Sequence, residues 1–176
     1  MIAEEVERIL SKKWFCSLDL CGDENGDSVR VFEGLYRMAR SKGLVLKAHV
    51  GEFGTADDVW EAVEVLGLDE IHHGIASVKS PQLLHWLADH GICLNICPAS
   101  NIKLGLVGAY ESHPIRKIYD SGVNITINTD DLLIFDVSVS QEYLHLYNKG
   151  VFTAKELDEV RLFGLTRGSG SISSVG

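Results

Sequence analysis

His49 and Glu52, in the stretch Ala48-His49-Val50-Gly51-Glu52, and the pair Asp130-Asp131, in Asn128-Thr129-Asp130-Asp131, place one imidazole and three carboxylates just after two apolar, strand-like runs. Leu44-Val45-Leu46-Lys47-Ala48 leads into His49, and Val123-Asn124-Ile125-Thr126-Ile127 leads into the aspartates. An imidazole with a carboxylate is an ordinary donor set for a divalent metal, and the carboxylates left over can carry protons in metal-assisted hydrolysis. Either motif alone reads equally well as a strand-end core histidine or as an aspartate opening a turn. Their shared position at strand ends is what points to one site.

The elements that must position these groups alternate between strand-like runs and helical stripes, the mark of βα units on a parallel sheet. Ile2, Val6, Ile9 and Leu10 form one stripe before a strand ending near Leu20, and Phe32, Leu35, Tyr36 and Ala39 form a second before the strand to His49. Thr55, with Asp58 as a capping-box partner, opens a third helix carrying Val59, Ala62, Val63 and Leu66. Ser80-Pro81 opens a fourth that Gly91 closes; Ile115, Ile118 and Tyr119 make a fifth; Thr153 and Glu156 open a last one with Leu157 and Val160 on its buried side. The chemistry-bearing residues fall at the C-terminal ends of the strands, as in a TIM barrel. The competing doubly wound open sheet usually shows a glycine-rich first turn, and none is present.

The chain has 176 residues, 45% of them hydrophobic, enough for a sizeable core. Its formal net charge of −9 argues against a nucleic-acid backbone or an anionic membrane as partner and leaves a neutral small molecule. It has no run of about 18 apolar residues, and Met1-Ile2-Ala3-Glu4-Glu5 lacks the shape of a signal peptide, so a cytoplasmic protein is expected. Cys16, Cys21, Cys93 and Cys97 do not have the spacing of a zinc ribbon and are expected to be buried, reduced thiols.

Between the two opening motifs lie Glu70-Ile71-His72-His73-Gly74 and Cys93-Leu94-Asn95-Ile96-Cys97-Pro98-Ala99-Ser100-Asn101, and before them Cys16-Ser17-Leu18-Asp19-Leu20-Cys21-Gly22-Asp23-Glu24. In this order the segments resemble the adenosine deaminase family of zinc aminohydrolases, whose pattern reads D-L-x-G-x-E, H-x-G-E, a His-Gly strand end, C-P-x-S-N and T-D-D. The match runs over roughly residues 15 to 165. The resemblance implies a partial TIM (β/α)8 barrel of about five βα units, strands four to eight, since a closed barrel needs roughly 200 residues or more. Residues 1–166 are expected to form this part of a barrel, and the Gly/Ser-rich tail, residues 167–176, to be disordered or foreign sequence.

The same resemblance implies hydrolytic deamination of adenosine to inosine and ammonia, in purine salvage, with Zn2+ as cofactor. It assigns His49 and Asp130 as zinc ligands, Glu52 as the acid that protonates purine N1, and His73 as the group that orients the attacking water and takes its proton. Asp131 would contact N7, for which it must be protonated, and Gly22 would offer its backbone N–H to N3.

Three departures stand out. His72 occupies a position where the family commonly has Gly or Asp, and it receives no role; Leu132 replaces a proline that often follows the aspartate pair. The family's H-x-H strand, source of two zinc ligands, is absent, so the chain alone is expected to bind zinc weakly and turn over little substrate. His85, His90, His113 and His145 are expected at the surface. Adenine or another 6-aminopurine is the alternative substrate, and a non-catalytic purine-binding or interaction module the alternative class; the H-x-E and P-C-x-x-C signature of cytidine deaminases is absent. Removing strands from a barrel leaves unpaired edges, so self-association is expected.

Overall fold

The computed structural model describes residues 14–24, 26 and 28–169, with positions 6, 8, 9 and 12; the first predicted helical stripe lies largely outside the described residues. Five strands make one sheet: β1 Ser17–Leu20, β2 Val45–Val50, β3 Glu70–His73, β4 Cys93–Ile96 and β5 Asn124–Ile127. Each is parallel to the next and pairs with it in chain order. A doubly wound sheet would reverse its strand order at a switch point, and this one does not. The architecture is that of a partial TIM barrel.

Helix α1 Glu33–Ser41 follows β1, α2 Ala56–Leu66 follows β2, and α3 Pro81–Asp89 follows β3. After β4 come α4 Pro98–Lys103 and α5 Ile115–Asp120, and after β5 come α6 Leu132–Phe135, α7 Val139–Asn148 and α8 Ala154–Ser169. The predicted start signals act locally: Thr55 Oγ1 accepts from Asp58 N while Asp58 accepts from Thr55 N, and Ser80 accepts from Leu83 N with Pro81 in the first turn. A second capping box, Ser138 with Gln141, starts α7. Helix α8 continues through Ser169, so residues 167–169, placed in the tail by composition, are helical; residues 170–176 lie outside the described residues.

Strand alternation divides the sheet into two faces. Leu46, Ala48, Val50, Ile71, Leu94, Ile96, Ile125 and Ile127 are buried in the core with Val59 and Val63 of α2, Leu83 and Leu87 of α3, and Ile115 and Ile118 of α5. Full burial of each such side chain is worth about 1.5–3 kcal/mol. The opposite, concave face is polar. Lys47 Nζ lies 2.8 Å from Glu70 Oε2, Asn95 Nδ2 donates to the same oxygen at 3.0 Å, and Thr126 Oγ1 donates to Asn95 Oδ1 at 2.7 Å. Arg167 of α8 reaches over this face to Glu70 Oε1 at 3.0 Å. Burial pushes the Glu70 carboxyl up, but the hydrogen bonds from Lys47, Asn95 and Arg167 prevail and hold its pKa down at about 2.

All four cysteines are free, but only Cys93 and Cys97 are buried; Cys16 and Cys21 are exposed, at the start and just past the end of the edge strand β1. Burial pushes the Cys93 thiol up to about 12. No described helix is long and apolar enough to cross a membrane.

Candidate active site

The strand ends deliver the predicted groups to one rim. His49 is the fifth residue of β2, on the concave face with Lys47, and Glu52 follows two residues after the strand ends. Gly51 makes this turn with φ 75, and an added Cβ there would sit 2.4 Å from Val59 Cγ2. Only glycine fits so close to α2 in that backbone conformation. The following N–H groups are gathered by one side chain: Glu24 accepts from Gly51 N at 3.1 Å, Glu52 N at 3.0 Å, Phe53 N at 3.2 Å and Gly54 N at 2.8 Å. The Glu24 carboxylate thereby fixes the loop that carries Glu52.

His73 closes β3, where alternation alone would send it to the helix-covered face with Ile71. Its left-handed backbone, φ 64, breaks the pleat, and its buried ring lies at the rim with Nδ1 3.2 Å from Glu52 Oε1. Asn101 Nδ2 donates to Glu52 Oε1 at 2.7 Å and lies 3.4 Å from His73 Nδ1. Behind Asn101 stands His113, whose Nε2 is 3.2 Å from Asn101 Oδ1 and whose Nδ1 accepts from Ile115 N at 3.0 Å. His113 is buried, 3% exposed, and not at the surface as its loop context suggested. His145 is half-buried against Tyr110, while His85 and His90 are exposed as expected.

These surroundings set the proton affinities. Burial, reinforced by the charge of Asp130, raises the Glu52 carboxyl to about 7 although Asn101 opposes the shift. Burial lowers His73 to about 4 against the pull of Asp130, and burial alone lowers His113 to about 4. The site thus pairs an acid that titrates near neutrality with an imidazole kept uncharged.

Asp130 lies just beyond β5, its Oδ2 accepting from Ser100 Oγ at 2.7 Å and its Oδ1 from Asp131 N at 2.9 Å. Asp131 caps α6, its Oδ1 accepting from Leu133 N at 2.8 Å and Ile134 N at 3.1 Å, which leaves Oδ2 for another partner. Gly22 sits in the loop after β1, and no atom lies within 4 Å of a Cβ built there. Packing among the described residues therefore does not explain the glycine. His49 Nδ1 lies 3.2 Å from Asp19 Oδ2, and that carboxylate raises the imidazole's pKa over the opposing effect of burial.

Among the described residues, two groups of side chains bring ligand atoms within 4.8 Å of one another, Asp19–His49–His72 and Glu52–His73–Asp130, so the two predicted zinc ligands, His49 and Asp130, stand in different groups. Imidazole nitrogens and carboxylate oxygens are zinc donors, so the rim fits an ion of that class. Asp19, Glu24, Ser100 and Asn101 received no role from the sequence although each lies inside a quoted motif; His113 lies outside all of them.

The comparisons with known proteins converge. The adenosine deaminase family model matches residues 1–169. A protein of Treponema pallidum (strain Nichols), provisionally named an adenosine/adenine deaminase, is 35% identical over 152 residues, 86% of this chain and 51% of its own length. The adenosine deaminase of Shewanella loihica is 32% identical over 163 residues, 92% of this chain and 49% of its own. Among solved structures, the adenine deaminase of Arthrobacter aurescens superposes with a TM-score of 0.81 at 28% identity, over 90% of this chain and 50% of that one. A zinc-bound amidohydrolase of Burkholderia ambifaria reaches 0.79 at 28% identity, over 90% and 46% of the two chains. The chain spans about half the length of the curated relatives it matches. With five parallel βα units, the rim they build and a family model that takes in nearly every residue, the chain belongs to the adenosine deaminase family.

Proposed function

We infer that the protein to which this chain contributes catalyses the hydrolytic deamination of a 6-aminopurine, with adenosine as substrate. The observation that carries the reading is the Glu52 carboxyl, raised to about 7 beside a buried, uncharged His73. A general acid serves best when its pKa lies near the working pH. Glu52 would deliver its proton to ring N1 as water adds at C6. His73, with Nδ1 turned toward Glu52 and Asn101, offers Nε2 to orient the attacking water and take up its proton. His49 and Asp130 would hold the zinc, which supplies Lewis acidity toward water when bound. Asp131, through its free Oδ2, would meet N7, and the open space around Gly22 would admit purine N3 to its backbone N–H.

Adenine is the second reading, favoured by the 0.81 superposition on an adenine deaminase. The test joins this chain to an H-x-H-bearing amino-terminal half and follows ammonia release from adenosine and from adenine. Glu52→Gln should lower kcat by about 10²–10⁴-fold. Unchanged turnover in that variant would overturn the assignment, and turnover of adenine alone would decide between the substrates.

A further inference from the structure

Glu142 of α7 takes no part in the reaction outlined above, yet it is 1% exposed, and among the described residues no carboxylate is more deeply buried. Its Oε1 accepts from Ala99 N at 2.8 Å and its Oε2 from Tyr110 Oη at 3.0 Å. Burial raises the pKa of this carboxyl, and the bonds from Ala99 and Tyr110 with the charge of Lys103 oppose the rise. Ala99 shows what the carboxylate is for. Helix α4 is only six residues long, no side chain of Cys97 caps it, and Pro98 has no N–H. The Ala99 N–H is therefore the first donor of the helix, in the turn where no intrahelical acceptor exists. Glu142, 43 residues further along the chain, supplies that acceptor.

Two residues beyond Ala99, Asn101 donates from Nδ2 to Glu52 Oε1 at 2.7 Å while His113 holds its Oδ1. His113 sets which way the amide faces, and the hold on Ala99 sets where the backbone that carries it stands. We propose that Glu142 is a positioning residue for the deamination, fixing α4 through Ala99 so that Asn101 reaches the Glu52 carboxyl. This role presupposes Glu52 as the acid of the reaction proposed above. Among the described residues the hydrogen bonds of Glu142 go to Ala99 and Tyr110 and to none of the reacting groups. Its effect must therefore travel through α4. The other end of that helix is tied as well, since Lys103 Nζ donates to Phe135 O, so release of Ala99 leaves α4 to pivot about its far end. Catalytic geometry tolerates little of this, because a misplacement of about 1 Å can cost about 10²-fold in rate. Glutamine can reproduce both contacts, its carbonyl oxygen accepting from Ala99 N and its NH2 donating to Tyr110 Oη, whereas alanine reproduces neither.

The first arm of the test uses the chain as it stands, followed by 1H–15N spectra. The Ala99 amide of the wild type should exchange at least about tenfold more slowly than exposed loop amides. Glu142→Ala should speed that exchange about tenfold or more and shift the Asn101 side-chain NH2 signals, and Glu142→Gln should restore both. Free exchange at Ala99 in the wild type, or Asn101 signals that stay in place in Glu142→Ala, would overturn the proposal. If Glu142→Ala does not fold, Tyr110→Phe removes one of the two anchors and should move the Asn101 signals; unmoved signals there count equally against it. The second arm uses the chain joined to an H-x-H-bearing amino-terminal half. Glu142→Ala should lower kcat about 10–10²-fold with KM within about threefold of wild type, and Glu142→Gln should recover most of the loss. Combined with Asn101→Ala, the total loss should fall short of the product of the two separate losses. Wild-type kcat in Glu142→Ala, or a full product in the double variant, refutes the route through Asn101 and leaves the deaminase reading standing. A joined wild type that releases no ammonia refutes that reading instead, and the first arm then decides whether Glu142 positions Asn101.

Discussion

His113 Nε2 and Asn101 Oδ1 lie 3.2 Å apart, and this contact fixes which way the Asn101 amide faces. Ile115 N donates to His113 Nδ1, so the ring proton of the uncharged imidazole must sit on Nε2. Nε2–H then donates to Asn101 Oδ1, and the amide nitrogen is left to donate to Glu52 Oε1. His113→Phe removes the donor that, among the described residues, holds Oδ1. It should cost about 1–3 kcal/mol, by leaving a buried amide oxygen unpaired. Urea unfolding checks the cost, and His113→Gln, which can still donate, should recover part of it.

Glu52 makes stability pH-dependent. Its folded pKa of about 7 lies above the ordinary 4.5, so its contribution is fully present below 4.5 and is lost as pH rises through 7. His73 works in the other direction: with its pKa depressed to about 4, its contribution is present above 6.5 and lost as pH falls through 4. Comparing wild type with Glu52→Gln isolates the first effect. The variant should gain on the wild type between pH 5 and pH 8, and an equal difference in unfolding free energy at both would contradict the burial of this carboxyl.

The four N–H groups gathered by Glu24 give a local readout. Glu24→Gln keeps one acceptor oxygen but turns an NH2 group toward donors. A loss of about 1–3 kcal/mol is expected, concentrated in the Gly51–Gly54 loop. Hydrogen exchange should therefore quicken at those four amides far more than in α2.

Arg167 and Glu70 are both partly shielded on the concave face, and Glu70 retains Lys47 and Asn95 when the arginine is removed. Arg167→Ala should cost about 1–2 kcal/mol, between the values for exposed and buried pairs. Lys47→Met should cost more, because Lys47 does more than Arg167 to hold the Glu70 carboxyl down. Thermal unfolding of the two variants ranks them.

Among the described residues, β1 pairs with a strand on one side only, and so does β5. Light scattering in dilute solution should report species heavier than 19.4 kDa. A cooperatively melting monomer would mean that α8, lying across the concave face through Arg167, gives the open sheet enough cover.

The sequence placed β2 and β5 by their apolar-rich runs and the helices by capping signals such as Thr55 with Asp58 and Ser80 with Pro81, whereas β3, Glu70-Ile71-His72-His73, carries one apolar residue and was legible through the family motif that contains it. Residues at strand ends were legible for the same reason, His49 and Asp130 above all. What escaped was contact between segments far apart in sequence: Glu24 with the Gly51–Gly54 loop, Ser100 with Asp130, and His113 behind Asn101. Nothing local marks His113 as buried, since a histidine before a proline in a loop looks solvated. The left-handed turn at His73 was equally invisible, because a non-glycine residue gives no sign of it.

Because each strand pairs with the one made just before it, the sheet can grow in the direction of translation, one βα unit at a time, as the chain leaves the ribosome. The pair Arg167–Glu70 spans 97 residues and is the exception. It has to wait until α8 emerges, and long loop closure makes such contacts slow to form. Until then Lys47 and Asn95 are the described partners of Glu70, so the contacts of this carboxylate are complete only once α8 has docked.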